Sequence, residues 1–520
     1  MSGVWDIVIV GCGPVGAYAA NLFGRAGFAT LVLDREHSPY SLPRAVHFDH
    51  EMLRLLADLD LLDPLAGRMR AADGHLHVGA DSGVIRQLTS ARAARPFGFA
   101  NDYFFFQPEL EQTLRAGLHR YSRVVVRLGV EVVGLEPRAS EVSLTLRDGE
   151  TVTTRWVLGA DGARSAVRSA LEIPLEDLDF EEPWLVVDAE VDGPIVFPEF
   201  TGVGEGTELQ NVSVMVCDPA RPLTLVPGRG RHRRWEFMLL PGEDDSRMAQ
   251  PEVVRELIAP WVQGTSHSVI RAATYRFHGL VATSWMRRGC FLAGDAAHQT
   301  PPFFGQGLCH GMRDAANLAW KLALVHAGQA GATLLNTYQL EREPHVRQVI
   351  LKAIEAGRYI CILDPAQAAA RDASVRRMRD MQNASELIGP IASPIVGASG
   401  GQRFINPPVN DGHQLLDSAT GTGWRLLTRQ ELALSPDASA VLRVLDCQHW
   451  RVGLDLDDTG GYVAAWLDSK AAEAVLVRPD FYVALAEADA RSLSAEIVRM
   501  GAAMDLVRQA VPHTRNDIVQ

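Results

Sequence analysis

Three glycines near the amino terminus, Gly11, Gly13 and Gly16, stand at the spacing that cradles the pyrophosphate of a dinucleotide. Gly11 permits a tight turn, Gly13 lets the backbone approach the phosphates, and Gly16 lets a helix pack closely on a strand. Asp34 follows at the distance where a carboxylate accepts from the hydroxyls of the adenosine ribose. Two further carboxylates sit in glycine turns, Asp161-Gly162 and Gly294-Asp295. Taken singly, either reads as a turn or cap residue. The chain has no HExxH and no His/Asp/Glu array at ligand spacing, so no metal is expected. Ser165 and His298 form no evident nucleophilic triad.

Chemistry at these positions requires particular elements. Trp5–Val10 is a short β-branched run, suited to a buried parallel strand feeding the glycine turn. Residues 17–26 read as an Ala- and Leu-rich helix, whose N-terminus offers free N–H groups and a positive dipole end to phosphates. Residues 29–33 form the second strand, ending at Asp34. This strand–turn–helix–strand–acid unit leaves open whether the dinucleotide is NAD or FAD. Residues 184–191, 211–218 and 234–240 alternate like strands of an antiparallel sheet, separated by turns rich in Pro and Gly. Arg221, Arg231, Arg233 and Arg234 lie in or beside that sheet, either as solvated charges or as a bidentate partner for a substrate carboxylate. Trp235, Phe237 and Met238 would line an aromatic pocket there, or serve as plain core.

Pro43-Arg44-Ala45 after the second strand and Gln107-Pro108-Glu109-Leu110 complete a recognisable set with the glycine fingerprint, Asp161-Gly162 and Gly294-Asp295. With these motifs residues 4–358 resemble the class A flavin-dependent aromatic hydroxylases, the family of p-hydroxybenzoate and phenol hydroxylases. Residues 43–51, 234–243, 311–315 and 475–484 are similar to the 3-(3-hydroxyphenyl)propionate hydroxylases within it. The chain departs from the family at Cys309, usually Asn, at His310, usually small, and at Asp34, more often Glu.

The resemblance implies non-covalent FAD. Its contacts would be Gly11, Gly13, Pro14, Val15, Gly16, Asp34, Arg35, Arg44, Gln107, Asp161, Gly294, Asp295, Pro301, Gly305, Gly307 and Leu308, with Asp295 on the ribityl chain and residues 305–308 under the isoalloxazine. It further implies that NADH or NADPH reduces FAD and that O2 then forms a flavin C4a-hydroperoxide. That species passes OH to a phenolic ring, such as that of 3-(3-hydroxyphenyl)propionate. No second glycine fingerprint follows a strand, so NAD(P)H is expected to dock transiently near Asp161 and Arg44. Trp235, Phe237, Pro302 and Phe303 are the substrate candidates. His47 lies three residues after Arg44, a position at the substrate pocket in related enzymes, and shares a strand face with Asp49. Either is a candidate catalytic base for the phenol proton; a structural hydrogen bond is the equal alternative for His47. His298 reads as a fold residue, and His310 faces pocket or solvent. Two rivals stay open: a flavin hydroxylase tailoring secondary metabolites such as polyketides, and an FAD-binding protein of this fold that oxygenates nothing.

The expected class is α/β. A Rossmann-like FAD-binding domain of glutathione-reductase type spans residues 1–183 and 274–387, an antiparallel substrate sheet 184–273, and a Gly/Pro/Ser-rich linker 388–410. The resemblance implies a thioredoxin-like domain over residues 411–520. It has no CxxC, so a structural or homodimer-supporting role is expected rather than redox work. Its strands are read at 440–445 and 475–478, and its helices near Lys470 and at 492–508. A net charge of -13 excludes non-specific nucleic-acid binding, and no apolar run of membrane length occurs. Six scattered cysteines and an amino terminus unlike a signal peptide point to a reducing cytoplasm.

Overall fold

The run Trp5–Val10 is the centre of a parallel layer because its β-branched side chains are buried on both faces. The structure, a computed structural model, describes residues 5–39, 42–89, 95–377 and 387–506. The layer runs in the order Met286–Arg287, Cys290–Leu292, Thr151–Gly159, Trp5–Val10, Thr30–Asp34 and Val124–Leu128. Along this order every pair is parallel except the first, and the strands Val142–Leu146 and Val132–Pro137 extend Thr151–Gly159 by antiparallel pairing. Helix Pro14–Arg25 connects the strands Trp5–Val10 and Thr30–Asp34 in the manner of a βαβ unit. The strand ends carrying Gly11, Asp34, Ala160 and Ala293 therefore open on one edge, where ligands of α/β sheets bind.

A second sheet follows the order His298–Gln299, His267–Ala282, Leu175–Val191, His232–Met238, Leu223–Val226, Ser213–Val216, Gly74–Val78 and Val84–Thr89. It recruits Gly74–Val78 and Val84–Thr89 from early in the chain beside the strands expected from residues 184–273. Leu185, Val187, Leu225, Trp235 and Phe237 point to one face and pack on Met248, Val254, Ile258 and Trp261. A small third sheet joins His47–Asp49, Asp102–Phe104 and Arg70–Ala71. These elements belong to one compact unit, Met1–Ala316 with Glu343–Gly389.

The other unit comprises Asn317–Arg342 and Pro390–Gln520. Its sheet runs Gln448–Arg451, Arg425–Thr428, Ala474–Val477 and Val483–Glu487, with the first pair parallel and the rest antiparallel. Residues 440–445, read as a strand, are instead mostly helix Pro436–Val444. Pro436 at the first turn and the Ser435 side chain, accepting from the Ala438 N–H at 3.2 Å, start that helix, into which the apolar run then falls. The helix expected over 492–508 is observed as Ala490–Ala503; residues 507 and 508 lie outside the described residues. Among the described residues no helix is long and apolar enough to cross a membrane.

Candidate active site

The glycine turn is shaped by contact and by space. Gly11 has φ +99°, and a Cβ on Gly16 would lie 1.9 Å from the Gly11 carbonyl oxygen. A Cβ on Gly13 would meet nothing within 4 Å, so its backbone borders open space at the start of helix Pro14–Arg25. No side chain caps that helix, which leaves its first N–H groups to a ligand.

This turn forms one wall of a cleft of ≈ 550 Å³. Gly11, Gly13, Pro14, Val15, Asp34, Arg35, Arg44, Gln107, Asp161, Asp295, Gly307 and Leu308 all line it, although they are spread over nearly 300 residues. Asp34 accepts the Cys12 N–H at 2.6 Å and the Glu36 N–H at 2.9 Å, tying the glycine turn to the second strand. Gln107 Oε1 accepts the backbone N–H groups of Arg44 and Ala45 at 3.2 and 2.7 Å, while its amide donates to Glu111 at 2.7 Å. Gln107 thus aims Arg44 as well as lining the cleft.

Asp161 Oδ2 accepts from the N–H groups of Ala166 and Val167 at 2.7 and 3.1 Å, whereas its buried Oδ1 finds no partner among the described residues. Burial raises the Asp161 pKa against those hydrogen bonds. Asp295 opens on the cleft yet is ringed by protein. That enclosure raises its pKa, against the pull of His298 and Arg44. The Gly294 turn is fixed by Asp314, whose Oδ2 accepts the Gly294 N–H at 3.1 Å and also meets His298 Nε2 at 2.7 Å. His298 is thereby a fold residue. Open backbone at Gly13, uncapped helical N–H groups, an orphaned carboxylate oxygen and the Arg44 cation together fit an FAD laid along the cleft.

Beyond Gly305 lies the second half of the site. Gly305 has φ +62°, and a Cβ there would come within 2.5 Å of His47 Nδ1. His47 Nε2 is bonded to Asp102 at 2.9 Å. Burial disfavours the imidazolium, but the Asp102 hydrogen bond and the Asp102 and Asp49 charges outweigh it and raise the His47 pKa. His75 stands 5.8 Å away, ring to ring, and its burial lowers its own pKa. Ligand atoms of His47, His75 and Asp102 lie within 4.8 Å of one another, a grouping that spacing along the chain does not reveal. Asp49 shares the strand with His47 but is committed elsewhere. It caps the next helix through the Glu51 N–H and pairs with Arg313, which also holds Glu51 at 2.7 Å and Gln306 at 3.1 Å. Arg313 so ties the Gly305 loop to the His47 strand.

The substrate candidates separate. Trp235 and Phe237 lie in the core on the far face of the second sheet, at 0% and 2% exposure, because odd positions of His232–Met238 point there. They are corrected from pocket to core. Phe303 is buried edge-on against Phe180, Trp184 and Phe277, and Pro302 opens the turn Pro302–Phe304 before Gly305. Pro301 is buried at the head of the same turn. The four arginines have protein partners: Arg221 holds Glu243, Arg231 holds Asp192, Arg233 holds carbonyls of Pro227 and Gly230, and Arg234 holds Asp188. His310 faces neither pocket nor solvent; it is fully buried, edge-on to His298 and His345.

The FAD binding domain family matches residues 5–353, and the HcaD C-terminal domain family matches residues 401–500. A probable NADH-specific resorcinol 4-hydroxylase of Rhodococcus jostii is 33% identical, over 98% of this chain and 95% of that protein. A 3-(3-hydroxy-phenyl)propionate/3-hydroxycinnamic acid hydroxylase of Burkholderia vietnamiensis is 34% identical, over 93% of this chain and 94% of that protein. The crystal structure of aklavinone-11 hydroxylase with FAD and aklavinone superposes with a TM-score of 0.76 at 24% identity, covering 96% of this chain and 99% of that one. That likeness establishes a shared fold, a mixed α/β architecture with several sheets. With a matched domain over most of its length and relatives aligned nearly end to end, the chain belongs to the FAD binding domain family, in company with aromatic-ring hydroxylases.

Proposed function

We propose that this protein is an FAD-dependent monooxygenase that hydroxylates a phenolic ring at the expense of NAD(P)H and O2. The observation that carries the reading is a cleft lined by every cofactor motif, with the His47–Asp102 pair directly behind its Gly305 loop. FAD would be held by the Gly11–Val15 turn, Asp34, Arg44, Gln107, Asp161 and Asp295, with the backbone of 305–308 beside its ring. When bound, it supplies the redox chemistry that takes electrons from NAD(P)H and activates O2. The chain's own groups position the ring and handle its proton. His47 Nε2 is engaged by Asp102 and Nδ1 lies buried against the Gly305 backbone, so Nδ1 would take the ring's proton by relay past that loop rather than by direct contact. A ring hydroxyl that loses its proton there gains electron density and becomes the better nucleophile. Asp102 keeps the resulting imidazolium paired, and buried apolar groups such as Phe303 and Trp184 limit water.

A carboxylate-bearing phenol of the hydroxyphenylpropionate type and a dihydroxybenzene are the substrates to assay first. For the carboxy-terminal sheet we propose a thioredoxin-like arrangement, supported by its strand order and by one parallel and two antiparallel neighbours. The test is direct: purified protein should carry FAD, and NADH oxidation should accelerate on adding the phenol, with hydroxylated product formed in proportion. Oxidation indifferent to every phenol would overturn the reading.

A further inference from the structure

Alternation in the second sheet sends Trp235 and Phe237 to the core and must send Glu236 to the opposite face. Strand register places Glu236 in one row across that face, beside Val186 on one neighbour and Thr224 on the other, with Met215 next. Val186, Thr224 and Met215 are buried at 5–6% exposure and make a floor of small and apolar surface. The face belongs to the same side as Arg234, which donates to the carbonyls of Pro43 and Arg44 and so lies under the Pro43-Arg44-Ala45 segment leading to His47. The Glu236 side chain keeps 12% of its surface accessible, so it is largely but not wholly enclosed on that face.

The carboxylate lacks a hydrogen-bond donor among the described residues. Its nearest cation, Arg234 Nη1, is 3.8 Å away, and that guanidinium is already engaged by Asp188, Arg44 O and Pro43 O. An enclosed carboxylate without a donor is costly unless a ligand supplies one. We infer that Glu236 is the acceptor for a hydroxyl of the substrate ring, and that it selects rings presenting a hydroxyl, and rejects those presenting a carboxylate, at this end of the floor. The inference rests on the hydroxylase reading above and deepens it. Burial pushes the Glu236 pKa up to about 7, with Arg234 opposing and Asp188 reinforcing, so the group is ionised and accepting on the alkaline side of neutrality. The sequence motif Arg234-Trp235-Glu236 thus divides its work. Arg234 braces the cofactor segment, Trp235 fills the core, and Glu236 faces the ligand.

The experiment measures dissociation constants at pH 8 for the oxidised FAD-loaded protein, by calorimetry. It uses resorcinol, its monomethyl and dimethyl ethers, and 3-hydroxybenzoate, with wild type, Glu236→Gln and Glu236→Ala. Wild type should bind resorcinol roughly 10- to 100-fold more tightly than the dimethyl ether, the range for a hydrogen bond to a charged group. Glu236→Ala should level that preference. Glu236→Gln, of the same shape and neutral, should keep part of it and bind 3-hydroxybenzoate more tightly than wild type. Equal preferences in wild type and both variants, at equal FAD content, would overturn the inference while leaving the hydroxylase reading in place. Wild type that holds FAD and binds none of these rings would overturn the inference, and NADH oxidation indifferent to every phenol would overturn the reading with it.

Discussion

At the scale of residues, two glycines of one motif are required for different reasons. A Cβ at position 16 would sit 1.9 Å from backbone, which no rearrangement of a side chain can relieve, whereas position 13 has free space. Gly16→Ala should therefore fail to fold or lose several degrees of Tm. Gly13→Ala should keep its Tm as apoprotein and lose FAD affinity, because its methyl occupies the approach to the phosphates. Thermal unfolding with and without added FAD separates the two. The His47–Asp102 pair gives a pH prediction. Its hydrogen bond and charge raise the His47 pKa, so a reaction needing neutral His47 gains rate as pH rises through that raised value. Asp102→Asn removes the charge while leaving an oxygen that can accept, and the rising limb of the pH–rate profile should move to lower pH. An unmoved limb with only a lower plateau would assign Asp102 a purely structural part. The glycines and the acids Asp34, Asp161 and Asp295 were legible because each sits within a few residues of its own turn. Asp102 was not: it reaches His47 across 55 residues, through strand pairing that no local spacing announces.

Elements decide which neighbours a legible residue acquires. The second sheet was readable as antiparallel from alternation, but alternation alone does not say which face meets the cofactor. The odd residues of His232–Met238 are the more apolar, and the helix Pro251–Ile258 packs on them, so the polar set of Arg234 and Glu236 is the one turned toward the site. Trp235→Ala should consequently destabilise the protein by about 3–5 kcal/mol, the usual cost of emptying a buried aromatic site. In the surviving folded fraction it should leave KM for the phenol unchanged. Denaturant titration and steady-state kinetics check the two halves. A raised KM with intact stability would return Trp235 to the pocket. The strand expected at residues 440–445 failed for a different reason. The apolar run at 440–445 suits either element, and the Ser435 cap with the fixed φ of Pro436 decides for a helix.

Across the whole molecule, the unit containing both large sheets carries the cleft, and the unit of Asn317–Arg342 and Pro390–Gln520 is organised around buried charge. Glu341 accepts from Arg478 through both oxygens at 2.8 Å and from Lys321 at 2.8 Å, and Asp480 also pairs with Arg478. Although burial opposes its ionisation, these cations hold the Glu341 pKa far below the usual carboxylate range, while burial pulls Lys321 down to about 8. Removing one partner strands the others. Glu341→Ala should cost about 3–5 kcal/mol by denaturant unfolding, and an unchanged midpoint would contradict that reading of the cluster. The junction that makes these residues one network was not visible in the sequence, since Glu341 and Arg478 are 137 residues apart. The central claim concerns oxygen transfer to a phenolic ring. It is tested most directly by turnover of the FAD-loaded protein with NADH and resorcinol, or 3-(3-hydroxyphenyl)propionate, under 18O2, with mass spectrometry of the product. The expected result is a hydroxylated ring carrying one atom of 18O, formed in step with the NADH consumed. An unlabelled product, or NADH consumption that yields only hydrogen peroxide with every phenol, would contradict it.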